Sequence, residues 1–577
     1  TESVVFAVVS SAAKRTAKAA PQRSYLRGFG ISPAADYLAL VPVPHPAQPD
    51  SISRRVREAI AGMLQRHDCS KVSDDVKQAM RQLTLLDLPH GEPWFDISVA
   101  AHLAGEKAVS LGAVARNHLG HAISGASLEE SVPATSADRD IAVILAERAA
   151  ICRALRGRLE AEMEQRQVST LFREVEMPLV PVLAEMENTG ILMDTQKLWA
   201  MSRTLGEQLA ALEIDIYAEA KHRFNINSPK QLSTVLYDEL GLQAGRKTSR
   251  GRSTEAAQLE LLRGHHPIID LILQYRQLSK LKSTYVDTLP ALVNPASGRI
   301  HTVFSQTTTT TGRLSSSEPN LQNLPIRTEL GRTIRAAVIA PRGWLLLSAD
   351  YSQIDLRVLA HLSGDETLTT AFRHDEDIHT STASRVFGVP PEHVTPEMRR
   401  AAKVVNFGVV YGMSDYGLEQ ATGFSRAEAG VFIKTYFEQH PGVKRWLEQT
   451  KAQAREKHYV STLLGRRRYV PEITATNRVV REAAERMAIN APVQGTSADI
   501  IKVAMINIHE ELQGQDMRSR MLLQIHDELL FEAPADELPR LSSLVRRLMA
   551  SAVKLDVPLK VDLKSGPNWA DMNQVPA

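Results

Sequence analysis

Cysteine is nearly missing from this chain. Cys69 and Cys152 are the two present, far apart and outside any CxxC or Cys/His spacing, which excludes a disulfide framework and a cysteine zinc site. A reducing, cytosolic setting is the expectation. Long apolar runs are missing too: no stretch reaches the ~18 residues of a membrane span, and the amino terminus lacks the ordered basic, apolar and cleavage regions of a secretory signal. A surplus of one charge is also lacking, since 68 Lys and Arg face 66 Asp and Glu, a formal net charge of +2. Bulk charge therefore gives no argument for nucleic acid, and any basic groove must be local. What remains is an ordinary globular composition, 43% hydrophobic and 23% charged over 577 residues. At roughly 150 residues per domain that makes about three or four folding units, too many for a small binding module.

Residues 1 to about 170 open on an apolar run, Val4 to Val9, and alternate short apolar runs with Pro-rich breaks (Val41 to Pro49) and helical patterns, as in a mixed α/β domain. From 171 to 295 the periodicity is helical over Leu179 to Met186 and Ile268 to Leu289, with a polar tract, Gly245 to Thr254, expected as a mobile loop on a helical arm. A Thr/Ser/Asn/Pro-rich stretch, Thr307 to Pro325, leads to an apolar strand pattern, Trp344 to Ser348, ending at Asp350, and then to a helix from Gln353 to Leu362. Residues 365 to 465 read as nearly all helix, Met521 to Glu532 as an apolar hairpin, and Val557 to Val561 as a last strand. The expected shape is an antiparallel sheet with a helical insertion.

Three constellations carry chemistry. Asp350 ends a buried strand, where an unpaired carboxylate is costly, so it is either a helix N-cap or a metal ligand. Asp527 and Glu528 interrupt the hairpin Leu522 to Phe531, and two adjacent acids repel unless a cation or a solvated turn relieves them. Two Asp at strand ends that meet in one sheet are what a two-metal phosphoryl-transfer site requires. The third constellation is the helix Arg399 to Gly412, in which Arg399, Lys403, Phe407 and Tyr411 fall at about 0, 40, 80 and 120° while Ala401, Ala402, Val404, Val405, Gly408 and Val409 fill the other side. Two cations followed by two rings suit a nucleoside triphosphate; a solvated face is the bland alternative.

Asp350-Tyr351-Ser352-Gln353-Ile354-Asp355-Leu356-Arg357, the Arg399 to Gly412 helix and Gln524-Ile525-His526-Asp527-Glu528 resemble, in order and spacing, the three polymerase motifs of family A, DNA polymerase I-like enzymes. Thr311-Gly312-Arg313-Leu314-Ser315-Ser316, Pro319-Asn320-Leu321-Gln322-Asn323, Asp377-Ile378-His379 and Arg486 through Asn490 to Gln494-Gly495-Thr496 extend the likeness, which runs from about Phe224 to Trp569. The resemblance implies an α/β multidomain, right-hand polymerase. Its divisions would be an exonuclease-like region over 1–170, a thumb over 171–295, a palm over 296–364 and 466–577, and fingers over 365–465.

By the same resemblance, Asp350, Asp527 and the Tyr351 carbonyl would be ligands of two Mg²⁺ ions, for which Mn²⁺ can substitute, with Glu528 a supporting acid. Arg399, Lys403 and His379 would hold the triphosphate of a deoxynucleotide, and Lys403 would protonate the leaving pyrophosphate. Phe407 would stack by the incoming sugar and base, Tyr411 would close the templating pocket, and Gln353 and Asp355 would belong to the same nucleotide-binding set; a Phe at 407, where some relatives carry Tyr, implies discrimination against dideoxynucleotides. Arg313, Asn320, Gln322, Asn323, Arg486, Asn490, Gln494 and His526 resemble the residues that hold primer-template DNA in the minor groove, where acceptors are nearly sequence-independent. Lys280 and Lys282 would add backbone contacts, or else sit on a solvated helix face. A monomeric, cytoplasmic, nucleoid-associated enzyme without membrane contact is implied.

Two departures from the family stand out. Asp355 occupies a position where Glu is usual; one methylene shorter, it implies weaker exclusion of ribonucleotides and a less firmly held Tyr411. The first region lacks the Asp-x-Glu of a 3′→5′ exonuclease at Val8-Val9-Ser10-Ser11-Ala12 and keeps only Asp140 of the later Tyr-xxx-Asp element near Ser136, so it is expected to be inert. No 5′-nuclease is expected in this chain, although Thr1 is compatible with a fragment. The rival readings are a silent primer-template-binding protein and a single-subunit RNA polymerase relative.

Overall fold

The structure, a computed structural model, describes residues 3–11, 26–34, 37–42, 52–120, 131–132, 138–243, 247–248, 251–325, 329–410 and 412–576. The apolar run near the amino terminus forms strand Ser3–Ser11, which is antiparallel to Leu26–Ala34 on one side and parallel to Ser70–Ser73 on the other. Tyr37–Pro42 and Trp94–Asp96 complete the two edges. Successive side chains of a strand face opposite ways, and here Val5 and Ala7 join one core while Val4 and Phe6 join another with Leu64, Met80 and Trp94. Val43 to Pro49 lie outside the described residues.

A largely helical segment follows, with Asp138–Gln165, Met177–Thr189, Thr195–Ala220 and Pro267–Leu281 as its long members. Of the tract Gly245 to Thr254, Lys247–Thr248 and Gly251–Arg252 pair antiparallel; the residues between and just before them lie outside the described set.

The second sheet is antiparallel throughout. Trp344–Tyr351 is central, flanked by Glu528–Pro534 and by Val561–Gly566, with Arg520–Ile525 and Asn573–Gln574 outermost. Leu346, Leu347 and Ala349 are sealed in its interior, which explains the unbroken apolar pattern. Between the central strand and the hairpin come the helices Ile354–Ser363, Glu366–Arg373, Ile378–Phe387, Pro396–Val410, Asp415–Thr422, Arg426–Gln439 and Pro441–Lys457, as the sequence led us to expect. Two expectations need correction. The end of that stretch is a hairpin, Tyr459–Ser461 with Arg467–Tyr469, closed by Gly465 at φ 88°, which lets β-favouring Tyr459 and Val460 pair. The last long strand is Val561–Gly566 and not Val557 to Val561, because Pro558 has no N–H to give a ladder and its carbonyl is taken by Arg357 at 2.6 Å.

A buried ionic knot ties these parts together. Glu176, just before helix Met177–Thr189, binds Arg466 of the hairpin and accepts from Lys502 (2.7 Å) of the long helix Arg478–Gly514, and Arg466 pairs with Asp499 at 2.7 Å. Burial alone would raise the Glu176 carboxyl, but Lys502 and Arg466 outweigh it and hold it well below the usual carboxylate range. Gln306 donates to the other Glu176 oxygen at 2.6 Å. Gly312, at φ 82°, lets the following loop lie so close that a Cβ would stand 2.4 Å from Arg466 Nε. Arg313 follows directly in that loop.

Candidate active site

The ladder itself brings the predicted acids together. Asp350 is opposite Glu528 on one side and Asp562 on the other, and the Tyr351 N–H donates to the Asp527 carbonyl at 3.1 Å. The strand end and the hairpin turn are thus one edge, and Asp350 is not a helix cap. Helix Ile354–Ser363 starts after Gln353, whose φ of 55° turns the chain sharply, and Gln353 makes no side-chain cap.

These carboxylates differ in how they are satisfied. Glu528 Oε1 accepts from the Ser348 hydroxyl at 2.6 Å and the Trp569 indole at 2.9 Å, which fix it against the sheet. Asp355 accepts from Ser497 at 2.6 Å. Among the described residues none donates a hydrogen bond to the Asp350 carboxylate. Although open to solvent at the edge, it is pushed up to about 7, first by the desolvating walls and then by Glu528, Asp527 and Asp562, with Lys564 opposing. Desolvation and then Asp355 push Asp527 up to about 6, against Arg313. The Arg313 guanidinium stands 3.6 Å from Asp355 and 3.8 Å from Asp527.

Three or more His, Cys, Asp or Glu side chains arranged as a metal cage are not found among the described residues. The donors nevertheless fit a hard divalent cation. Asp350 and Asp527 offer oxygens whose charged forms are disfavoured until a cation arrives, and Mg²⁺ commonly takes one or two carboxylates with substrate phosphates rather than a closed cage. The Tyr351 side chain points away, its hydroxyl donating to the Met549 carbonyl at 2.7 Å, so only its backbone faces this edge.

A second group lies on helices Ile378–Phe387 and Pro396–Val410, the latter packed on helix Ile354–Ser363. Ala401, Ala402 and Val405 are buried while Arg399 and Lys403 are exposed and Phe407 is half-buried, the division read from the sequence. Arg399 pairs with Asp377 at 2.8 Å. His379 is buried, its Nδ1 3.1 Å from the Asn406 amide and its ring 5.7 Å from that of Phe407. Burial, opposed by Asp377 and aided by Arg399 and Lys403, pushes its pKa down to about 4, so it is neutral at pH 7. Tyr411 lies outside the described residues.

Around Arg313, Gln322 donates to the Gln524 carbonyl (3.1 Å) and side chain (3.2 Å), and Gln524 donates to the His526 carbonyl. Burial and the charges of Arg313 and Arg335 lower the His526 pKa. Asn320 accepts from Ser316 and from the Gln322 N–H, shaping the turn, and Asn323 is exposed with its carbonyl held by Tyr285 at 2.6 Å. Arg486, Asn490 and Gln494 lie on the long helix Arg478–Gly514. Lys280 is exposed, whereas the Lys282 ammonium is held by Asp287 (2.8 Å) and Ser202 (3.0 Å). The sequence reading missed Asp562 and Lys564. Apolar and polar residues alternate through Val561-Asp562-Leu563-Lys564, but the strand was expected to stop at Val561. It also missed Ser497 and Arg335, the latter stacked 4.1 Å above Trp569.

In the first sheet region, Ala12 and Pro133 to Ala137 lie outside the described residues, as do the side chains of Val8, Val9 and Ser10. Three of the described acids there, Asp74, Asp75 and Asp96, are committed internally. Asp96 accepts from the Val76 (2.7 Å) and Val99 (2.9 Å) N–H groups, Asp75 caps a helix through Gln78 N–H, and Asp74 binds Arg148.

Residues 195–571 match the family model described as DNA polymerase family A. The chain is 54% identical over 415 residues to the thermostable DNA polymerase I of Thermus aquaticus, covering 72% of this chain and 49% of that protein. It is 48% identical over 486 residues to DNA polymerase I of Bacillus subtilis (strain 168), covering 83% and 55%. It therefore spans about half the length of these relatives. Among solved structures, it superposes with a TM-score of 0.88 at 38% identity on the POL domain of Pol1 from M. smegmatis, in complex with DNA primer-template and dNTP, covering 98% of this chain and 95% of that one.

Proposed function

The chain belongs to DNA polymerase family A, and from that premise we propose that it is a DNA-directed DNA polymerase that joins deoxynucleotides to a primer 3′-hydroxyl and releases pyrophosphate. Its fold is the right-hand polymerase fold, mixed in helix and sheet. The observation that carries the reading is the convergence of Asp350 and Asp527 on one sheet edge with their charged forms disfavoured. Two Mg²⁺ ions, or Mn²⁺ in their place, held by these acids and the Tyr351 carbonyl, would supply activation of the hydroxyl and neutralisation of the leaving phosphate.

The chain's own residues do the rest. Arg399 exchanges Asp377 for the triphosphate, exposed Lys403 meets the same charge and protonates the leaving group, and neutral His379 serves as a hydrogen-bonding partner rather than a cation. Phe407 stacks by the incoming sugar and base, Tyr411 closes the templating pocket, and Gln353 and Asp355 act in nucleotide binding. Arg313, Gln322, His526 and the face of the long helix bearing Arg486, Asn490 and Gln494 hold the primer-template in its minor groove. Residues 171–295, 296–364 with 466–577, and 365–465 act as thumb, palm and fingers. Residues 1–170 are a structural region without proofreading activity, a reading supported by the internal commitment of Asp74, Asp75 and Asp96. Asp355 relaxes exclusion of ribonucleotides.

Primer extension on a recessed template with Mg²⁺, beside a 3′-mismatched primer given no nucleotide, tests this. Extension with deoxynucleotides and an unshortened mismatched primer are expected. Absence of extension would leave a binding protein, and shortening would refute the inert first region.

A further inference from the structure

Asp355 sits in the first turn of helix Ile354–Ser363 and is only 6% exposed. Its Oδ1 accepts from the Ser497 hydroxyl at 2.6 Å, and its Oδ2 lies 3.6 Å from Arg313. Ser497, itself 2% exposed, is in the middle of helix Arg478–Gly514, where the same hydroxyl is 3.1 Å from the Val493 carbonyl one turn back. A hydroxyl has one proton to give. The contact to the carboxylate has the short length of a charge-assisted bond, and the contact to the neutral carbonyl does not, so the proton goes to Asp355 and Val493 is the fallback. A mid-helix serine that reaches across to an acid on another helix fixes that acid's rotamer.

We propose that Ser497 is a positioning residue for sugar selection, holding the Asp355 carboxylate where it meets the 2′ side of the incoming nucleotide. The proposal rests on the role given to Asp355 above. Without the hydroxyl, Asp355 loses the short bond to its Oδ1, the carboxylate is held less firmly, and it yields more readily to a 2′-hydroxyl. The structural cost of Ser497→Ala is small, since the site keeps its volume and Val493 already has its helical partner.

The test is the ratio of kcat/KM for a deoxynucleotide to that for the matching ribonucleotide, so that a general loss of activity cancels. Ser497→Ala should lower the ratio by about tenfold, the effect of losing one hydrogen bond to a charged group. Ser497→Thr, which keeps the hydroxyl, should restore it. In the Asp355→Ala background the serine change should have no further effect, because the two residues act as one unit. A ratio unchanged in Ser497→Ala but collapsed in Asp355→Ala overturns the proposal and leaves the role of Asp355 standing. A ratio unchanged in Asp355→Ala overturns both. A further drop on adding Ser497→Ala to Asp355→Ala shows a serine acting through packing, and also overturns it.

Discussion

Acids whose carboxyls are pushed up stand in both sheets of this molecule, one buried in the first and two at the edge of the second, and they meet opposite fates. In the first sheet, desolvation and then Asp75 push Asp96 up to about 8, yet its two oxygens accept the Val76 and Val99 N–H groups, so it serves as a double helix cap. At the edge of the second sheet, Asp350 at about 7 and Asp527 at about 6 are raised by the same physics, but among the described residues no backbone N–H donates to either carboxylate. Burial raises a carboxyl wherever it occurs. What separates a structural acid from a chemical one is whether the chain's own N–H groups satisfy it or a ligand must.

The contrast is broken most sharply by paired substitutions. Asp350→Ala should reduce extension by at least about a thousandfold while primer-template affinity stays within about threefold, whereas Asp96→Ala should leave the extension rate of the folded protein unchanged. Loss of extension in the Asp96 variant at full folding would erase the distinction. Next in size, Glu176→Ala takes from buried Lys502 its hydrogen-bonded acid and leaves Arg466 with Asp499 alone, and should cost about 3–5 kcal/mol in denaturant unfolding. A cost below about 1 kcal/mol would show that the knot does not hold the parts together.

A pH experiment sharpens the comparison further. Asp96 has a folded pKa raised from 3.8 to about 8, so the folded state binds the extra proton; its favourable contribution is full below the unfolded pKa and is lost as pH rises toward 8. Amide hydrogen exchange corrected for intrinsic rates should therefore show helix Ile97–Leu103 less protected at pH 8 than at pH 5. Equal or greater protection at pH 8 would contradict this. The smallest effect concerns Lys280 and Lys282. Lys280→Ala should weaken DNA binding by up to about threefold and lower the salt dependence by about one ion, while Lys282→Ala, whose ammonium is already held by Asp287, should act mainly on thermal stability.

Much of this was legible in the sequence because its periodicities are strong. The unbroken apolar run before Asp350, the hairpin around Asp527 and the split faces of the Arg399 helix each express one local rule, and the structure keeps all three. What escaped depended on partners far along the chain. Asp562 was missed because the Pro558 break shifts the strand past the apolar cluster that suggested it. Ser497 was missed because a serine inside a 37-residue helix carries no mark of the acid it holds 142 positions away. The Glu176 knot is invisible for the same reason: its charges come from three separate segments.

The most direct test of the central claim is single-nucleotide incorporation with Mg²⁺ by the wild-type chain and by Asp527→Asn, with primer-template binding measured on the same samples. The account predicts incorporation by the wild type and its loss in the variant at retained DNA affinity. Incorporation persisting in Asp527→Asn, or absent from the wild type while DNA is bound, would contradict it.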